Sequence, residues 1–384
     1  MCEQAERASR LGRIAFYIDT LSVGGAETIA VNYLIVLRRR GYDVCLIELY
    51  ETDSFLTAQL RAADVPVFNL FHVGGSRLSG LLFKVKKRLL AGQRVRRTVR
   101  REKVSLFHSH AYWSYFSDVG LPRRRMFYSL HTAVERNREI YGARHRANLE
   151  ALLDGGMHLF ALCEAMRKDA LRFYPQADVR VLFNGFDLDK IRRGGYDKKQ
   201  FLTELGYDPN RFVLGHVGRF YPVKNHEKIF EIFDAVRARR PDALLMLVGT
   251  GNAEERARID GLIRLHAVAD SVILLGLRSD AAAIVHVFDA MLLPSHNEGF
   301  PLVMIEAQAQ NVRTVVTAAV STEMVCNRNC FRLPVSESAE TWAELLLADT
   351  LRETETPLEV YDIDRVLDRL TEIYEETAAK EDGK

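Results

Sequence analysis

Short apolar segments alternate with segments of helical pattern along nearly the whole chain. In the first half, the apolar segments are residues 14–18, 44–49, 65–70, 104–107, 126–130, 158–162 and 179–183. In the second half, they are residues 212–217, 244–248, 272–275, 290–293, 314–317 and 330–333. Because strands that alternate with helices pair in parallel, each half predicts an α/β fold whose sheet is covered by helices on both faces.

The composition is that of a soluble globular protein, with 384 residues, 48% of them hydrophobic and 27% charged. No apolar run approaches the length needed to cross a membrane, and residues 1–10 show no secretory signal. The five cysteines are scattered and have no nearby histidines that would complete a metal site. We therefore expect free thiols, no bound metal and a reducing, cytoplasmic environment.

Positive charge is concentrated in the first half of the chain. Residues 1–185 contain 29 Lys and Arg against 18 Asp and Glu, a net charge of +11, although the whole chain carries only +2. The remaining residues carry a net charge of −9. This asymmetry indicates that the halves have separate tasks, and that the positive half faces an anionic partner.

A loop carries one carboxylate, Glu298, and the helical segment that follows it carries a second, Glu306, about one and a half turns in. We expect Pro301 at the first helical position, where its missing N–H costs no hydrogen bond. The amides of Gly299 and Phe300 would then lie at a helix N-terminus, which favours anions. An anion site with a carboxylate at each end suits a sugar nucleotide. A strand, turn and helix with two surface glutamates fits the same residues.

Two cations, Arg219 and Lys224, occupy the loop after the strand at residues 212–217. A guanidinium and an ammonium in one loop suit a diphosphate, although two solvated surface charges fit equally well. Gly24 and Gly25 follow the first strand, where two glycines either let the backbone approach a phosphate or simply form a tight turn.

Histidines follow two strands of the first half. His108 and His110 come after the strand at residues 104–107, and His131 follows the strand at residues 126–130. A lone histidine at such a position more often serves packing. Ligands of open parallel sheets nevertheless bind at the carboxyl ends of strands, so these rings are also candidate ligand contacts.

Together these motifs resemble those of the retaining glycosyltransferases of family four. The resemblance rests on four motifs that span most of the chain, from residue 24 to residue 307. They are the Gly-Gly-Ala-Glu loop at residues 24–27, Asn-Gly-Phe-Asp at residues 184–187, Gly-Arg…Lys at residues 218–224, and the glutamate pair with Gly-Phe-Pro between its members at residues 298–306.

The resemblance implies the GT-B fold, in which two Rossmann-like domains face each other across a central cleft. The first, acceptor-binding domain would comprise residues 1–185, and the second, donor-binding domain residues 186–358. Residues 359–384 would form a C-terminal helix that crosses back onto the first domain.

The resemblance also implies roles for the candidate residues. Glu298 and His131 would position the transferred sugar, and Glu306 would hold the ribose. The remaining candidates would contact the donor diphosphate: Arg219, Lys224, and the amides of Gly299 and Phe300. Gly24 and Gly25 would close over the diphosphate or the acceptor, His108 and His110 would lie near the acceptor, and residues 276–278 would hold the nucleobase.

The implied activity is retaining, metal-independent transfer of a hexose from a nucleotide-sugar, a UDP-sugar in our prediction, to a glycan or a lipid-linked acceptor. No cofactor is implied, and surface polysaccharide biosynthesis is the expected context. Two alternatives stay open. A sugar-nucleotide 2-epimerase has the same architecture and needs no acceptor. A nucleic-acid-binding protein would account for the basic residues but not for the glutamate pair.

A strongly basic segment, residues 77–103, contains 11 Lys and Arg and one acid, Glu102. Its apolar residues recur at spacings of three and four, which predicts an amphipathic helix. An ordinary helix with a solvated basic face fits this pattern, as does a helix that lies on an anionic membrane surface. Because several family-four enzymes with lipid-linked acceptors have a comparable helix, we expect a peripheral location on the inner face of the cytoplasmic membrane. Residues 123–125, three arginines, would extend the basic surface.

Overall fold

The computed structural model describes residues 10–22, 24–72, 79–111, 118–140, 142–354 and 356–382, without the side chains of residues 79–89, 140, 144 and 380–382. The chain divides into two compact units. Unit 1 consists of Met1–Phe186 and Ile363–Lys384, and unit 2 consists of Asp187–Asp362.

Unit 1 is built on a parallel sheet of seven strands in the order β3-β2-β1-β4-β5-β6-β7. The strands are β1 (Arg13–Ile18), β2 (Val44–Tyr50), β3 (Val67–Phe71), β4 (Val104–Ser109), β5 (Met126–Leu130), β6 (His158–Ala161) and β7 (Asp178–Val181). The strand order reverses between β1 and β4, and such a switch point leaves a crevice at the carboxyl ends of the strands.

Helices of unit 1 alternate with its strands. They are α1 (Gly25–Arg39), α2 (Phe55–Ala62), α3 (Ser79–Arg101), α4 (Val134–Ile140), α5 (Ala143–Asp154), α6 (Glu164–Phe173) and, from the C-terminal segment, α14 (Ile363–Asp382). Helix α1 buries Ile29, Leu34 and Leu37, whose spacing places them on one helical face. Arg38 and Arg39 lie in its last turn, where positive charge offsets the helix dipole.

Unit 2 is built on a parallel sheet of six strands in the order β10-β9-β8-β11-β12-β13. The strands are β8 (Val213–Val217), β9 (Leu244–Val248), β10 (Val272–Gly276), β11 (Ala290–Leu293), β12 (Arg313–Thr317) and β13 (Cys330–Leu333). The strand order reverses between β8 and β11, so loops from these two neighbours meet at one edge.

The helices of unit 2 are α7 (Leu188–Arg193), α8 (Lys198–Glu204), α9 (His226–Arg239), α10 (Ala253–Leu265), α11 (Ala281–Val285), α12 (Leu302–Ala309) and α13 (Ala339–Leu347). Phe230 and Phe233 of α9 and Trp342 of α13 are fully buried in the core against the sheet. None of the helices among the described residues combines the length and the apolar character needed to cross a membrane.

All thirteen strands predicted from the sequence are present, with ends that differ from the predicted ones by at most two residues. The predicted start of the C-terminal segment, residue 359, differs more. Residues Leu358–Tyr361 form a short 3-10 helix that belongs to unit 2. Tyr361 holds it there, because its ring packs against Phe300 and its hydroxyl donates to the Glu323 carbonyl at 2.9 Å. The segment that joins unit 1 begins at Ile363.

Candidate functional site

The residues predicted to form the site divide between the two units. Unit 1 contains Gly24, Gly25 and His131, and unit 2 contains Arg219, Lys224, Glu298, Gly299, Phe300 and Glu306. Each group is described within its own unit.

Gly24 and Gly25 lie where the chain turns from β1 into helix α1. Gly24 immediately precedes the helix, and Gly25 is its first residue. The Gly24 carbonyl accepts hydrogen bonds from the Thr28 amide at 3.0 Å and from the Thr28 hydroxyl at 2.8 Å. The two glycines therefore lie beside the switch point of the unit 1 sheet, as the alternation of elements predicts.

A cavity of about 200 Å³ opens at the same edge of this sheet. It is lined by Ile18, Asp19, Thr20, Ala26, Glu27, His110, Ala111, Tyr128, His131, Thr132 and Asn137. Most of these side chains are polar, and they can donate hydrogen bonds to the hydroxyl groups of a ligand or accept hydrogen bonds from them. His131 is the predicted site residue among them. Ala26 and Glu27, which directly follow Gly24 and Gly25, also line the cavity.

His131 contacts a second histidine of the cavity wall. His110 Nδ1 lies 3.0 Å from His131 Nε2, a distance at which one ring donates and the other accepts. Burial lowers the pKa of His131 to about 4, and burial together with the neighbouring histidine rings lowers that of His110 well below its usual value. Both rings are therefore neutral near pH 7 and offer hydrogen bonds rather than positive charge.

His108, which the sequence analysis grouped with His110 near the acceptor, does not line this cavity. Its ring is fully buried, with Nδ1 at 2.5 Å from the Tyr374 hydroxyl and Nε2 at 2.9 Å from Ser129 Oγ. Tyr374 belongs to α14, so this histidine joins the sheet to the C-terminal helix. Burial lowers its pKa to about 3. Tyr112, which follows the histidines, lies outside the described residues.

In unit 2, the loops after β8 and β11 carry most of the predicted donor-binding residues. Three hydrogen bonds join the loops. Lys224 Nζ donates to Glu298 Oε1 at 2.7 Å. The Asn225 side-chain amide donates to the Pro294 carbonyl at 3.2 Å, and the His296 backbone amide donates to the Val223 carbonyl at 2.9 Å. Because the parallel strands are neighbours, both loops leave the sheet at the same edge. The predicted cation and carboxylate are thus in direct contact.

The second predicted cation, Arg219, is exposed. Its guanidinium lies 6.0 Å from the centre of the Tyr221 ring. The backbone at Gly218, directly before Arg219, packs closely against Gly249. A Cβ on Gly249 would lie only 1.9 Å from the Gly218 carbonyl oxygen. Gly249 has a φ of +146°, so only glycine fits this position without strain.

Helix α12 begins one residue later than the sequence predicts. Pro301 precedes the first helical residue, Leu302, and Gly299 and Phe300 belong to the loop before it. The ψ of Pro301 is 104°, an extended value, so the proline ends the loop instead of starting the helix. The two residues still lead directly into the helix N-terminus, where backbone N–H groups and the helix dipole favour an anion.

Glu306 lies in helix α12, five residues after Pro301. Burial raises the pKa of its carboxyl group to about 7. A carboxyl group enclosed in this way is costly to ionise, so a hydrogen-bond donor from a ligand would stabilise its charged form. This environment is compatible with the predicted contact to ribose hydroxyls.

The loop predicted to hold a nucleobase begins at Gly276, the last residue of β10. Arg278 in this loop makes two hydrogen bonds with Asp280, at 2.8 and 2.6 Å, so its side chain is held within the loop. A second cavity of about 190 Å³ lies next to Gly276. Its wall consists of Phe220, Gly249, Thr250, Arg256, Ile259, Asp260, Leu274, Leu275 and Gly276.

The described part of the chain has two further features, which concern metal ligands and cysteines. It contains no group of three His, Cys, Asp or Glu side chains that could hold a metal ion. Four cysteines are free thiols in the structure, Cys45, Cys163, Cys326 and Cys330, and Cys2 lies outside the described residues. Metal independence of the activity remains a prediction.

Two residues of the unit 2 loops were missed by the sequence analysis. Ser295 is fully buried and donates to Glu298 Oε1 at 2.5 Å. Asn225 has a left-handed backbone (φ 55°, ψ 57°) that turns the loop into helix α9. The asparagine was a usable signal, since Asn adopts this conformation more readily than other non-glycine residues. A lone serine before Glu298 carried no comparable signal.

The basic segment forms helix α3, which ends at Arg101. Its Val95 and Val99 are buried, and several of its arginines have partners within unit 1. Arg94 contacts the Leu70 carbonyl, and Arg96 pairs with Asp118 at 2.6 Å. Asp118 also lies 3.5 Å from Arg123, so the predicted extension of the basic surface by residues 123–125 is adjacent to the helix. The structure does not describe the side chains of Lys84, Lys86, Lys87 and Arg88, and Arg77 lies outside the described residues.

Comparison with known proteins assigns a family to both halves of the chain. Residues 23–190 match the family described as "Glycosyltransferase Family 4", and residues 197–351 match the family described as "Glycosyl transferases group 1". The chain therefore belongs to the family-four glycosyltransferases.

Sequence relatives carry glycosyltransferase names. The chain is 30% identical over 197 residues to EpsF of Bacillus subtilis, which has a provisional glycosyltransferase name, and this match covers 48% of the chain and 50% of EpsF. It is 29% identical over 319 residues to a D-inositol 3-phosphate glycosyltransferase of Segniliparus rotundus, over 76% of the chain and 68% of that protein. The chain spans half the length, or less, of the first curated relatives that it matches.

Among solved structures, HepE of Anabaena in complex with UDP-glucose superposes with a TM-score of 0.67 at 18% identity, covering 97% of this chain and 100% of that one. This likeness and the two parallel sheets show that the chain has the GT-B fold with two Rossmann-like domains, as predicted.

Proposed function

We propose that the chain is a retaining, metal-independent hexosyltransferase that moves a sugar from a UDP-sugar to a glycan or lipid-linked acceptor. The observation that carries the proposal is the contact of Lys224 with Glu298 on the two switch-point loops of unit 2. A cation suited to a diphosphate and a carboxylate suited to sugar hydroxyls lie there side by side, next to the helix that carries Glu306.

In this reaction the bond between the sugar C1 and the diphosphate oxygen breaks, and the diphosphate leaves with the electron pair. Arg219, Lys224 and the amides of Gly299 and Phe300 would stabilise the charge that develops on the leaving group. The acceptor oxygen then bonds to C1 on the same face, and the leaving phosphate takes its proton. Glu298 would hold sugar hydroxyls, unlike the paired acid and base of glycosidases.

Unit 1 would contribute uncharged hydrogen-bonding groups. His131 is neutral near pH 7 and lines the polar cavity, so it would position a sugar hydroxyl without placing positive charge near the reacting carbon. Gly24 and Gly25 lie beside the same cavity and would close over the diphosphate or the acceptor. Glu306 would bind the ribose of the donor.

The proposed donor class draws support from HepE, which was solved with UDP-glucose. The proposed role in surface polysaccharide biosynthesis and the lipid-linked acceptor draw on the basic helix α3. Its exposed Arg97 and Arg100 would add about 1 kcal/mol each to binding of an anionic membrane surface, on the inner face of the cytoplasmic membrane. Arg94 and Arg96 would contribute less because they already have partners in unit 1.

A screen for UDP release tests the proposal. The protein is incubated with several UDP-sugars, each with and without a lipid extract, and both UDP and the sugar nucleotide are analysed. We expect slow UDP release from one donor alone and a marked increase with the extract. An isomerised sugar nucleotide without UDP release would instead identify a 2-epimerase. If no UDP-sugar binds or reacts, the proposed function is wrong.

A further inference from the structure

The buried hydroxyl of Ser295 lies against the carboxylate proposed to hold the transferred sugar. Ser295 follows the end of β11 by two residues and has no exposed surface. Its Oγ donates to Glu298 Oε1 at 2.5 Å. A serine without exposed surface cannot act on a substrate directly, so any part it plays must pass through Glu298.

Both polar neighbours of Glu298 bind the same carboxylate oxygen. Lys224 Nζ donates to Oε1 at 2.7 Å, as does Ser295, whereas Oε2 accepts no hydrogen bond from the residues that the structure describes. Two donors on one oxygen fix the rotation of the carboxylate plane. The second oxygen keeps its capacity to accept a hydrogen bond from a ligand.

The two donors differ in how firmly they are held. Lys224 has a long, flexible side chain and three N–H donors, and it is also expected to bind the diphosphate. Ser295 has a short side chain on a segment whose neighbours are fixed, since the Pro294 carbonyl and the His296 amide bond to the loop after β8. If Lys224 turned towards a bound diphosphate, Ser295 would remain as the donor to Glu298.

We propose that Ser295 is a positioning residue for the transfer reaction, which orients Glu298 so that its second oxygen meets a hydroxyl of the transferred sugar. This inference rests on the proposed function. It predicts that loss of the hydroxyl impairs the sugar-dependent step and leaves binding of the nucleotide part intact, because the nucleotide contacts other residues.

The test compares Ser295→Ala with the unchanged protein, using the UDP-sugar that gives the highest UDP release in the screen. Loss of this one hydrogen bond to the Glu298 carboxylate is expected to lower the kcat of the variant about tenfold or more. Calorimetry with UDP alone should give a Kd within about threefold of the original. Ser295→Thr keeps a hydroxyl, so it should recover most of the lost turnover.

Ser338→Ala is the matched control. It removes a serine hydroxyl that caps helix α13 and is expected to lower stability without altering turnover. Full turnover of Ser295→Ala would overturn the inference, as would equal losses of UDP affinity and turnover, or a Thr variant as impaired as the Ala variant. Because the screen must first yield a reactive UDP-sugar, its failure would count against the proposed function and not against Ser295.

Discussion

Lys224 Nζ lies 2.7 Å from Glu298 Oε1, although 74 residues separate these residues in the chain. Both side chains are largely removed from solvent, with 19% and 9% of their surfaces exposed. Removing one partner of a charge pair in such surroundings costs much more free energy than removing one partner of an exposed pair, because the remaining charge is left buried without a partner. The predicted cation and the predicted sugar-binding carboxylate are therefore coupled.

Glu306→Ala should weaken UDP binding. In our proposal the Glu306 carboxylate accepts hydrogen bonds from the ribose, and one such bond to a charged group is worth about 1.5–3 kcal/mol. The Kd for UDP, measured by calorimetry, should therefore rise about tenfold to a hundredfold, with a smaller change in kcat. Unchanged affinity in a folded variant would remove the ribose assignment.

Glu306→Gln should stabilise the protein at alkaline but not at acidic pH. The folded state raises the pKa of Glu306 from 4.5 to about 7, so it binds this proton more tightly than the unfolded chain does. Stability attributable to Glu306 is consequently lost as pH rises from about 4.5 to about 7. Thermal unfolding should show a higher Tm for the variant at pH 8 and nearly equal values at pH 4. A variant that is less stable at pH 8 would contradict the buried environment.

Lys224→Ala and Arg219→Ala should each lower turnover about a hundredfold or more, if each stabilises the departing diphosphate. Glu298→Ala should lower turnover while UDP still binds. Because Lys224 also holds Glu298, the two losses should not add: Glu298→Ala should cost much less in a Lys224→Ala background than alone. The coupling is obtained from the UDP-release rates of Lys224→Ala, Glu298→Ala and the variant that combines both substitutions. Simple additivity would mean that the ion pair has no part in the reaction.

Tyr374→Phe should destabilise unit 1 without affecting UDP affinity. Burial raises the pKa of this phenol well above its usual value, so it stays protonated and can donate to His108 Nδ1. Removing the Tyr374 hydroxyl leaves the buried His108 Nδ1 without its hydrogen-bond partner, which should lower the free energy of unfolding by about 1–3 kcal/mol. Denaturant titration measures this loss. Tyr196→Phe, which removes an exposed hydroxyl that donates to Asp280, is the control and should cost less.

The basic helix α3 should bind anionic but not neutral vesicles in a sedimentation assay, and added salt should weaken that binding. Replacement of four basic residues by glutamine should reduce the bound fraction: Lys84, Lys86, Lys87 and Arg88. The control removes four exposed basic residues from unit 2 in the same way: Lys190, Arg193, Lys199 and Arg264. Equal recovery with both vesicle types, or equal losses in both variants, would identify α3 as an ordinary helix with a solvated basic face.

Much of the architecture follows from the sequence alone. Apolar runs such as residues 244–248 and 290–293 became strands with the predicted bounds, because a strand buried on both faces needs a continuous apolar run. The loops that carry Gly24, Arg219 and Glu298 could likewise be placed, since each follows such a strand. The family resemblance assigned these residues to one kind of site.

The tertiary structure decided which side chains touch. Lys224 meets Glu298 because β8 and β11 are neighbours, and strand order depends on long-range packing that no local pattern encodes. His108 became a buried partner of Tyr374 because helix α14, more than 250 residues further along the chain, packs on its strand; the two residues are 266 apart. The buried hydroxyl of Ser295 could not be distinguished from any other serine in a loop until the fold had enclosed it against Glu298. Sequence patterns report local periodicity, whereas these contacts come from the free energy of burying whole elements together.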